Sequence, residues 1–345
     1  MERLSSVDIC RGIAIIFMIA GDIPAVTVVG SIKNFAHLAA PFFFFIAGVS
    51  YELFVISRIE RHNSSIKIAI ETFWKAIILL VITQGIFFLG VLLFPSRYSI
   101  GFNSSVFLVI AVGYLLSIFI PRKLIYQIPI IIFPFLLSYY FNNSIPSMLF
   151  FLFGKSFPLI PLIAYFFAGR AIMIFYETIN DFQMKNENIL IFSALFIAIM
   201  AISFQLFNIP YTITTRSEIL GFLLLVGIFI CILSLISVYQ NRIKEYDFFL
   251  SPFERAGRIA LSVYFAFCAL TLVIFPYLNR EFIGNFDPEI QIIIYYLSII
   301  MILLITASIE KIWRKVDYKF GLEWATRFGS NYLTKFTIKV FGIKT

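Results

Sequence analysis

The sequence predicts an all-α membrane protein, a polytopic bundle of about ten transmembrane helices, and three observations support this fold class. Of the 345 residues, 61% are hydrophobic and only 13% are charged, whereas a soluble domain is roughly 45–50% apolar and about 25% charged. Apolar runs of the ~20 residues needed to cross a bilayer follow one another along most of the chain. These runs do not alternate polar and apolar residues, so the pattern favours helices over a β-barrel.

Ten apolar runs have the length of a transmembrane span, and short polar or Pro- and Gly-containing breaks separate them. The runs cover residues 9–30, 35–57, 73–95, 104–120, 124–141, 157–176, 188–206, 218–240, 259–276 and 289–310. We expect them to form a single transmembrane bundle over residues 1–310, followed by a cytoplasmic amphipathic tail over residues 311–345. Because the breaks are short, any chemistry is expected inside the bundle or at its faces.

The lysines and arginines predict the orientation of the bundle. If the N-terminus is cytoplasmic, 22 of the 27 basic residues lie on the inner side of the membrane, as the positive-inside rule demands. The basic residues on the outer side are Lys33, Arg97, Lys155, Arg216 and Arg280. We therefore expect a multi-pass plasma-membrane protein with both termini in the cytoplasm. Since the basic residues form no contiguous patch, the net charge of +8 predicts no nucleic-acid partner.

The tail over residues 311–345 mixes aromatic side chains, such as Trp324, Phe328 and Phe336, with lysines and arginines. This composition is typical of a helix that lies in the inner interface of the membrane against anionic lipids. The sequence therefore predicts an interfacial C-terminal helix with membrane lipids as its partners. A partner-docking or substrate-gating role is the alternative.

The three cysteines, Cys10, Cys231 and Cys268, all lie inside apolar runs. A free thiol in such surroundings behaves as a small hydrophobic side chain. The sequence therefore predicts no disulfide, no redox pair and no metal site.

The first run contains Asp22, the main ionisable residue that remains deep in the membrane once the flanking charges are set aside. It lies 13 residues after Ile9, about two-thirds of the way across from the inner side. On a helix, Arg11 and Asp22 differ by only about 20° in direction, and Asp8 and Arg11 by about 60°. We expect one polar stripe that faces the bundle interior. The alternatives are an anchoring ion pair of Asp8 with Arg11 and a structural hydrogen-bonding role for Asp22.

His37 is the second candidate residue, at the outer end of the second run. The short connection between the first two runs predicts an antiparallel hairpin, in which His37 and Asp22 differ by only ~8 Å in depth. A carboxylate that orients an imidazole there is a plausible general-base pair, and a structural hydrogen bond explains the two residues nearly as well. The other histidine, His62, lies in a basic inner loop and is expected at the surface.

Several blocks of sequence carry a resemblance to a known family. They are RLSSVDICRGIAIIFMIAGD (3–22), HLAAPFFFFIAGVS (37–50), FPLIPLIAYFFAGRA (157–171) and SPFERAGRIALSVYF (251–265). In order and spacing the chain resembles the heparan-alpha-glucosaminide N-acetyltransferase-like family of transmembrane acyltransferases. The tail block FGLEWATRF (320–328) is similar to the GPLEW-type ending of a related group of multi-span membrane proteins.

The resemblance implies about ten or eleven helices and the transfer of an acyl group, usually acetyl, from cytoplasmic acetyl-CoA to a sugar across the membrane. The acceptor is then a glycan or lipid-linked sugar, and no metal takes part. Arginines near the inner face suit the phosphates of the donor through charge-assisted hydrogen bonds; the candidates are Arg11, Arg170, Arg255 and Arg258. The alternative for each arginine is that it only flanks a transmembrane span on the inner side, as the positive-inside rule expects.

Two positions depart from the family pattern. Many relatives have a histidine directly after the aspartate of the first span, where this chain has Ile23, and another at the position of Phe267. If the reaction needs a histidine, the resemblance implies that His37 serves. The departures favour the alternative of a non-catalytic relative that serves as a subunit of a larger membrane assembly. As protein partners, the sequence allows a homodimer or such a larger assembly. A transporter or flippase for an anionic or lipid-linked substrate is a further alternative.

Overall fold

A computed structural model of the chain describes residues 5–22, 30–93, 106–141, 159–180, 186–206, 219–242, 247–273, 287–319 and 321–343. Every regular element in these ranges is a helix, so the all-α prediction is confirmed for them. The helices are α1 Ser5–Asp22, α2 Gly30–Glu60, α3 Ser65–Leu93, α4 Val106–Phe119, α5 Leu124–Phe141, α6 Leu159–Asn180, α7 Asn186–Leu206, α8 Ile219–Arg242, α9 Asp247–Arg258, α10 Ala260–Val273, α11 Pro288–Trp313 and α12 Leu322–Phe341.

The apolar runs and the helices coincide closely. Each of the ten predicted spans overlaps one helix, from α1 to α8 and then α10 and α11. Among the described residues, four helical segments are long and apolar enough to cross a membrane, namely Leu38–Glu60, Leu159–Thr178, Gly221–Tyr239 and Glu289–Val316. The chain therefore has the helices of a membrane protein, while the number of ten spans and the orientation of the termini stay predictions.

The chain forms two compact units. Unit A comprises Phe44–Cys231 and Ala325–Thr345, and unit B comprises Glu2–Phe43 and Ile232–Trp324. The predicted division at residue 310 separates a transmembrane bundle from a cytoplasmic tail, whereas the two units are defined by how the chain packs. The division at residue 310 therefore stays a prediction.

Unit A is built around a close crossing of α2 and α6. A Cβ placed on Gly48 would overlap the carbonyl oxygen of Phe166, and one placed on Gly169 would overlap the carbonyl oxygen of Phe45. The absence of a side chain at both positions lets the two backbones touch. Large aromatic side chains fill the space beside the crossing, with the ring centroids of Tyr165 and Phe222 4.8 Å apart.

Unit B contains an equivalent crossing of α1 and α9. A Cβ on Gly12 would overlap the carbonyl oxygen of Phe253, and one on Gly257 would overlap the carbonyl oxygen of Asp8. Helix α9 also packs on α11. A short 3-10 helix, Arg314–Val316, follows α11, and Asp317 and Tyr318 then adopt left-handed backbone angles that end it.

The C-terminal block forms the predicted helix, and its polar side is the buried one. Thr326, Ser330 and Thr334 of α12 are buried within unit A, and Trp74 of α3 donates a hydrogen bond to Thr337 over 3.0 Å. Aromatic side chains, including Tyr332, lie exposed on the other side of the helix. An apolar outward face is expected of a helix whose surroundings are lipid.

Candidate functional site

The α1–α9 crossing joins two of the blocks that were singled out in the sequence. The Nη1 atom of Arg11 donates to Oδ1 of Asp8 over 2.9 Å and to the carbonyl oxygen of Gly257 over 3.3 Å. Asp8 is buried and Arg11 is half-buried. The predicted pair of Asp8 and Arg11 thus lies at the crossing itself, where the arginine also satisfies a backbone carbonyl of the partner helix.

Arg258, the residue after Gly257, connects this crossing to α11. Its guanidinium donates to Glu254 and lies 3.5 Å from Oε1 of Glu310. Glu310 is fully buried, and the hydroxyl of Tyr318 donates to it. Burial opposes the charge on Arg258, yet its bonds to Glu254 and Tyr318 hold the pKa of the guanidinium above its ordinary value. Arg255 lies half-buried on the same helix.

Glu323 links the tail block to the block at 251–265. Its Oε1 atom accepts hydrogen bonds from the backbone N–H groups of Leu261, over 2.7 Å, and Ser262, over 3.1 Å. The hydroxyl of Ser262 donates to the other oxygen and accepts from the N–H of Leu322. The carboxylate therefore caps the first turn of α10, where the unpaired N–H groups and the helix dipole favour negative charge.

Unit A contains a second set of charges beside its glycine crossing. The Nε atom of Arg170 donates to Oε2 of Glu52 over 2.9 Å, and Nη2 donates to the carbonyl oxygen of Ile120 over 3.1 Å. Arg122 donates to the other oxygen of Glu52 and to Glu177. Glu52 and Arg170 are 0% and 3% exposed, so these four side chains run from the buried interior to the surface of the unit.

A short sequence recurs at the two crossings. Ala168-Gly169-Arg170 lies on α6, and Ala256-Gly257-Arg258 lies on α9. In each case the glycine touches the backbone of a partner helix and the arginine pairs with a glutamate. Each arginine also has one buried nitrogen without a partner among the described residues, Nη1 of Arg170 and Nε of Arg258.

The predicted residues fall into three groups. Arg11, Arg255 and Arg258 belong to unit B, and Arg170 belongs to unit A. Helix α1 ends at Asp22, and His37 lies in the first turns of α2. The side chains of Asp22 and His37 lie outside what the structure describes, so their proposed pairing stays a prediction.

Sequence reasoning missed the buried glutamates. Glu52 and Glu310 are fully buried, and Glu71 is almost so, whereas the sequence had singled out Asp22 as the main deep ionisable residue. A signal was present for Glu52 and Glu310, because both lie within predicted apolar runs and an ionisable residue there needs a partner. Among the described residues, no three metal-ligating side chains come together.

Comparison with known proteins assigns no role to these residues. No family model matches the chain, and no curated protein matches it. The function of the clusters therefore has to follow from their own geometry and chemistry.

Proposed function

We propose that the chain is an integral membrane acyltransferase. It moves an acyl group, in the simplest case acetyl, from a cytoplasmic acyl-CoA to a hydroxyl or amine of a sugar or lipid-linked glycan at the outer face. One observation carries the proposal, namely that the blocks resembling transmembrane acyltransferases pair with one another in the fold. The Asp8–Gly12 segment packs on Phe253–Gly257, and Gly48 packs on the turn of α6 that precedes Arg170.

This pairing supports the resemblance because the blocks are far apart in sequence. Arg11 and Gly257 are separated by 246 positions and still share a hydrogen bond. If the resemblance arose from apolar composition alone, there would be no reason for these blocks to contact one another. Blocks that build one site in a common fold are expected to do so.

His37 serves in this proposal as the general base, and Asp22 orients its imidazole and stabilises the protonated form. The oxygen or nitrogen of the acceptor attacks the thioester carbonyl, and its proton passes to His37. The carbon–sulfur bond then breaks, and CoA leaves as the thiol after taking up that proton. An ester or amide of the acceptor is the product.

Arg11, Arg255 and Arg258 are proposed to hold the phosphates of the donor. Arg11 and Arg258 are only half-buried, so part of each side chain is accessible at the surface of unit B. Charge-assisted hydrogen bonds from such groups are among the stronger ones available to a protein. Arg170 belongs to the same prediction, although its near-complete burial and its bond to Glu52 favour a structural role.

The membrane arrangement is part of the proposal: ten spans, both termini in the cytoplasm and α12 in the inner interface. The distribution of lysines and arginines and the outward aromatic face of α12 support it. In a cysteine-free background, His62→Cys is expected to react with an impermeant maleimide only in inside-out vesicles. Ser99→Cys, in the connection between the third and fourth predicted spans, is expected to react only from the outside. Labelling of both variants from the same side would contradict the ten-span arrangement.

Transfer of radiolabelled acetyl from acetyl-CoA to the glycan and lipid fractions of membranes tests the activity. Because general-base catalysis contributes about 10²- to 10⁴-fold, His37→Ala is expected to lose at least about a hundredfold, and Asp22→Asn to lose activity as well. His62→Asn is the matched control, since it changes the other histidine on an exposed turn. Equal labelling by wild type, His37→Ala and Asp22→Asn would reject these residues as the site.

A transporter of an anionic or lipid-linked substrate is the second candidate. The recurrence of Ala-Gly-Arg at a glycine crossing in each unit favours it, because transporters often repeat a structural element in two halves. This function predicts exchange of substrate across proteoliposomes without acetyl-CoA. Acetyl transfer without such exchange supports the acyltransferase instead.

A further inference from the structure

A cluster of basic side chains lies apart from the arginines discussed above, where the end of α2, the first turns of α3 and α12 come together in unit A. Arg58 lies in the last turn of α2, Lys75 lies on α3 and Arg327 lies on α12. Glu71 is the carboxylate among them. We refer to Arg58, Lys75, Arg327 and Glu71 as the basic cluster.

One carboxylate oxygen serves two of the cations. Oε1 of Glu71 accepts from Nη2 of Arg58 over 2.7 Å and lies 3.2 Å from Nζ of Lys75. The same Nη2 atom donates to the side-chain oxygen of Asn331 over 3.4 Å. Helix α12 is thereby fixed to the end of α2, and the two cations are held next to each other.

An aromatic ring also holds the two cations. Nζ of Lys75 lies 3.1 Å from the centroid of the Phe54 ring, and Cζ of Arg58 lies 5.4 Å from it. The negative face of the ring stabilises a cation. It supplies no full countercharge, so the ring orients the basic groups without neutralising them.

The charges of the basic cluster do not balance. The cluster contains three cations and one carboxylate, and Arg58 and Arg327 both repel the ammonium of Lys75. The side chain of Glu71 is 3% exposed, whereas those of Arg58 and Lys75 are 23% and 16% exposed. The counter-ion is therefore buried beneath its partners, and the cations keep open surface toward a further anion.

We propose that the basic cluster is a phosphate-binding site. A phosphate group carries the one to two negative charges that the cluster lacks, and it accepts hydrogen bonds from several donors at once. Arginine suits its oxygens through a planar fork and lysine as a point charge. Arg327 on α12 is exposed, and its charge acts on Lys75.

Two sources supply this chemistry at an inner membrane face, the headgroup of an anionic phospholipid and the phosphates of coenzyme A. The coenzyme A source rests on the proposed acyltransferase function, and the lipid source does not. Both sources predict that the same three cations hold the phosphate. Two probes distinguish them.

The test uses the full-length protein in phosphatidylcholine nanodiscs. Binding of coenzyme A is measured by calorimetric titration, and binding of phosphatidylglycerol is measured by native mass spectrometry after it is added to the discs. Lys75→Gln and Arg327→Gln each remove one charge, and Lys311→Gln removes one from the exposed end of α11 as the matched control. A lost charge-assisted hydrogen bond is expected to weaken the bound probe about tenfold or more.

Loss of coenzyme A binding in both cluster variants assigns the site to the donor, and loss of phosphatidylglycerol binding assigns it to a lipid. If Lys75→Gln does not fold, the test uses Arg327→Gln alone. Arg327 is exposed, so this substitution is expected to leave the fold intact. Binding of neither probe to the wild type, or unchanged binding in Arg327→Gln, overturns the proposal. An inactive acyltransferase that keeps cluster-dependent phosphatidylglycerol binding would refute the proposed function and leave this site standing.

Discussion

Glu52 and Arg170 form a buried ion pair between α2 and α6, with Oε2 of the glutamate 2.9 Å from Nε of the arginine. The two side chains are 118 positions apart in sequence and lie one turn or less from the glycine crossing of unit A. Arg122 binds the other oxygen of the same carboxylate. Glu52 therefore pairs with both arginines and supplies the countercharge of buried Arg170, in an apolar setting where an unpaired charge is costly.

Glu52→Gln is expected to destabilise the protein strongly. The substitution removes the countercharge and leaves the Arg170 guanidinium buried without it, which typically costs about 3–5 kcal/mol. The measurement is the apparent melting temperature of the purified protein in detergent. Replacing both partners, in Glu52→Leu with Arg170→Met, is expected to recover much of the loss because neither member of the buried pair then carries a charge.

Glu177→Gln is the matched control, since it removes the exposed carboxylate that Arg122 also contacts. The side chain of Glu177 is 48% exposed, and an exposed pair contributes only about 0–1 kcal/mol. A melting temperature of Glu52→Gln equal to that of Glu177→Gln would show that burial of the pair has no energetic consequence.

The two glycine crossings predict a pattern of alanine substitutions. Gly169→Ala and Gly257→Ala each put a methyl group onto a carbonyl oxygen of the partner helix, that of Phe45 or Asp8. The helices must move apart, and overpacking of this kind costs typically about 1–3 kcal/mol or more. We expect both variants to melt at lower temperature than the wild type. Gly85→Ala and Gly221→Ala are the controls, because a Cβ at either position meets no atom of the described residues within 4 Å.

Alanine generally favours a helix over glycine by about 1 kcal/mol, so the two control variants are expected to be neutral or slightly more stable. Equal melting temperatures for all four variants would mean that the two helices at each crossing can move apart without loss of stability. That result would also weaken the proposed function, which depends on the contact of these blocks.

Much of the helical layout could be predicted because hydropathy is a local property. Ten apolar runs overlap ten helices, and the tail forms α12. Helix α9 was not predicted, since Asp247–Arg258 mixes charged and apolar residues and was taken as part of an inner break. It packs on α1 through Gly257 and also on α11. Its amphipathic sequence is the local signal that could have indicated a helix.

The candidate site could be predicted only in part, because composition identifies a charge but not its partner. Asp8 and Arg11 are one helical turn apart, so their pairing follows from helical geometry. The partner Glu52 of Arg170 lies on a distant helix, α2, and Arg258 pairs with Glu310 on α11 as well as with Glu254 on its own helix. A search for glutamates within apolar runs would have found these partners as candidates.

Tyr318 makes the stability of unit B depend on pH at the alkaline end. Burial, and then the hydrogen bond to Glu310, raise the pKa of its phenol above the ordinary value of 10.0. Below pH 10 the tyrosine is protonated in both the folded and the unfolded chain, so its contribution is fully present. As the pH rises past 10, the unfolded chain loses this proton first, and the contribution is lost.

Tyr318→Phe removes both the hydrogen bond and this titration. At neutral pH the variant is expected to lose about 1.5–3 kcal/mol, because the bonded partner is a carboxylate. Between about pH 9 and about pH 11 its melting temperature is expected to fall less than that of the wild type, since the phenol no longer titrates. Tyr332→Phe, on the exposed face of α12, controls for the loss of a hydroxyl. Parallel curves for Tyr318→Phe and the wild type over this range would show that the phenol of Tyr318 titrates alike in the folded and unfolded chain.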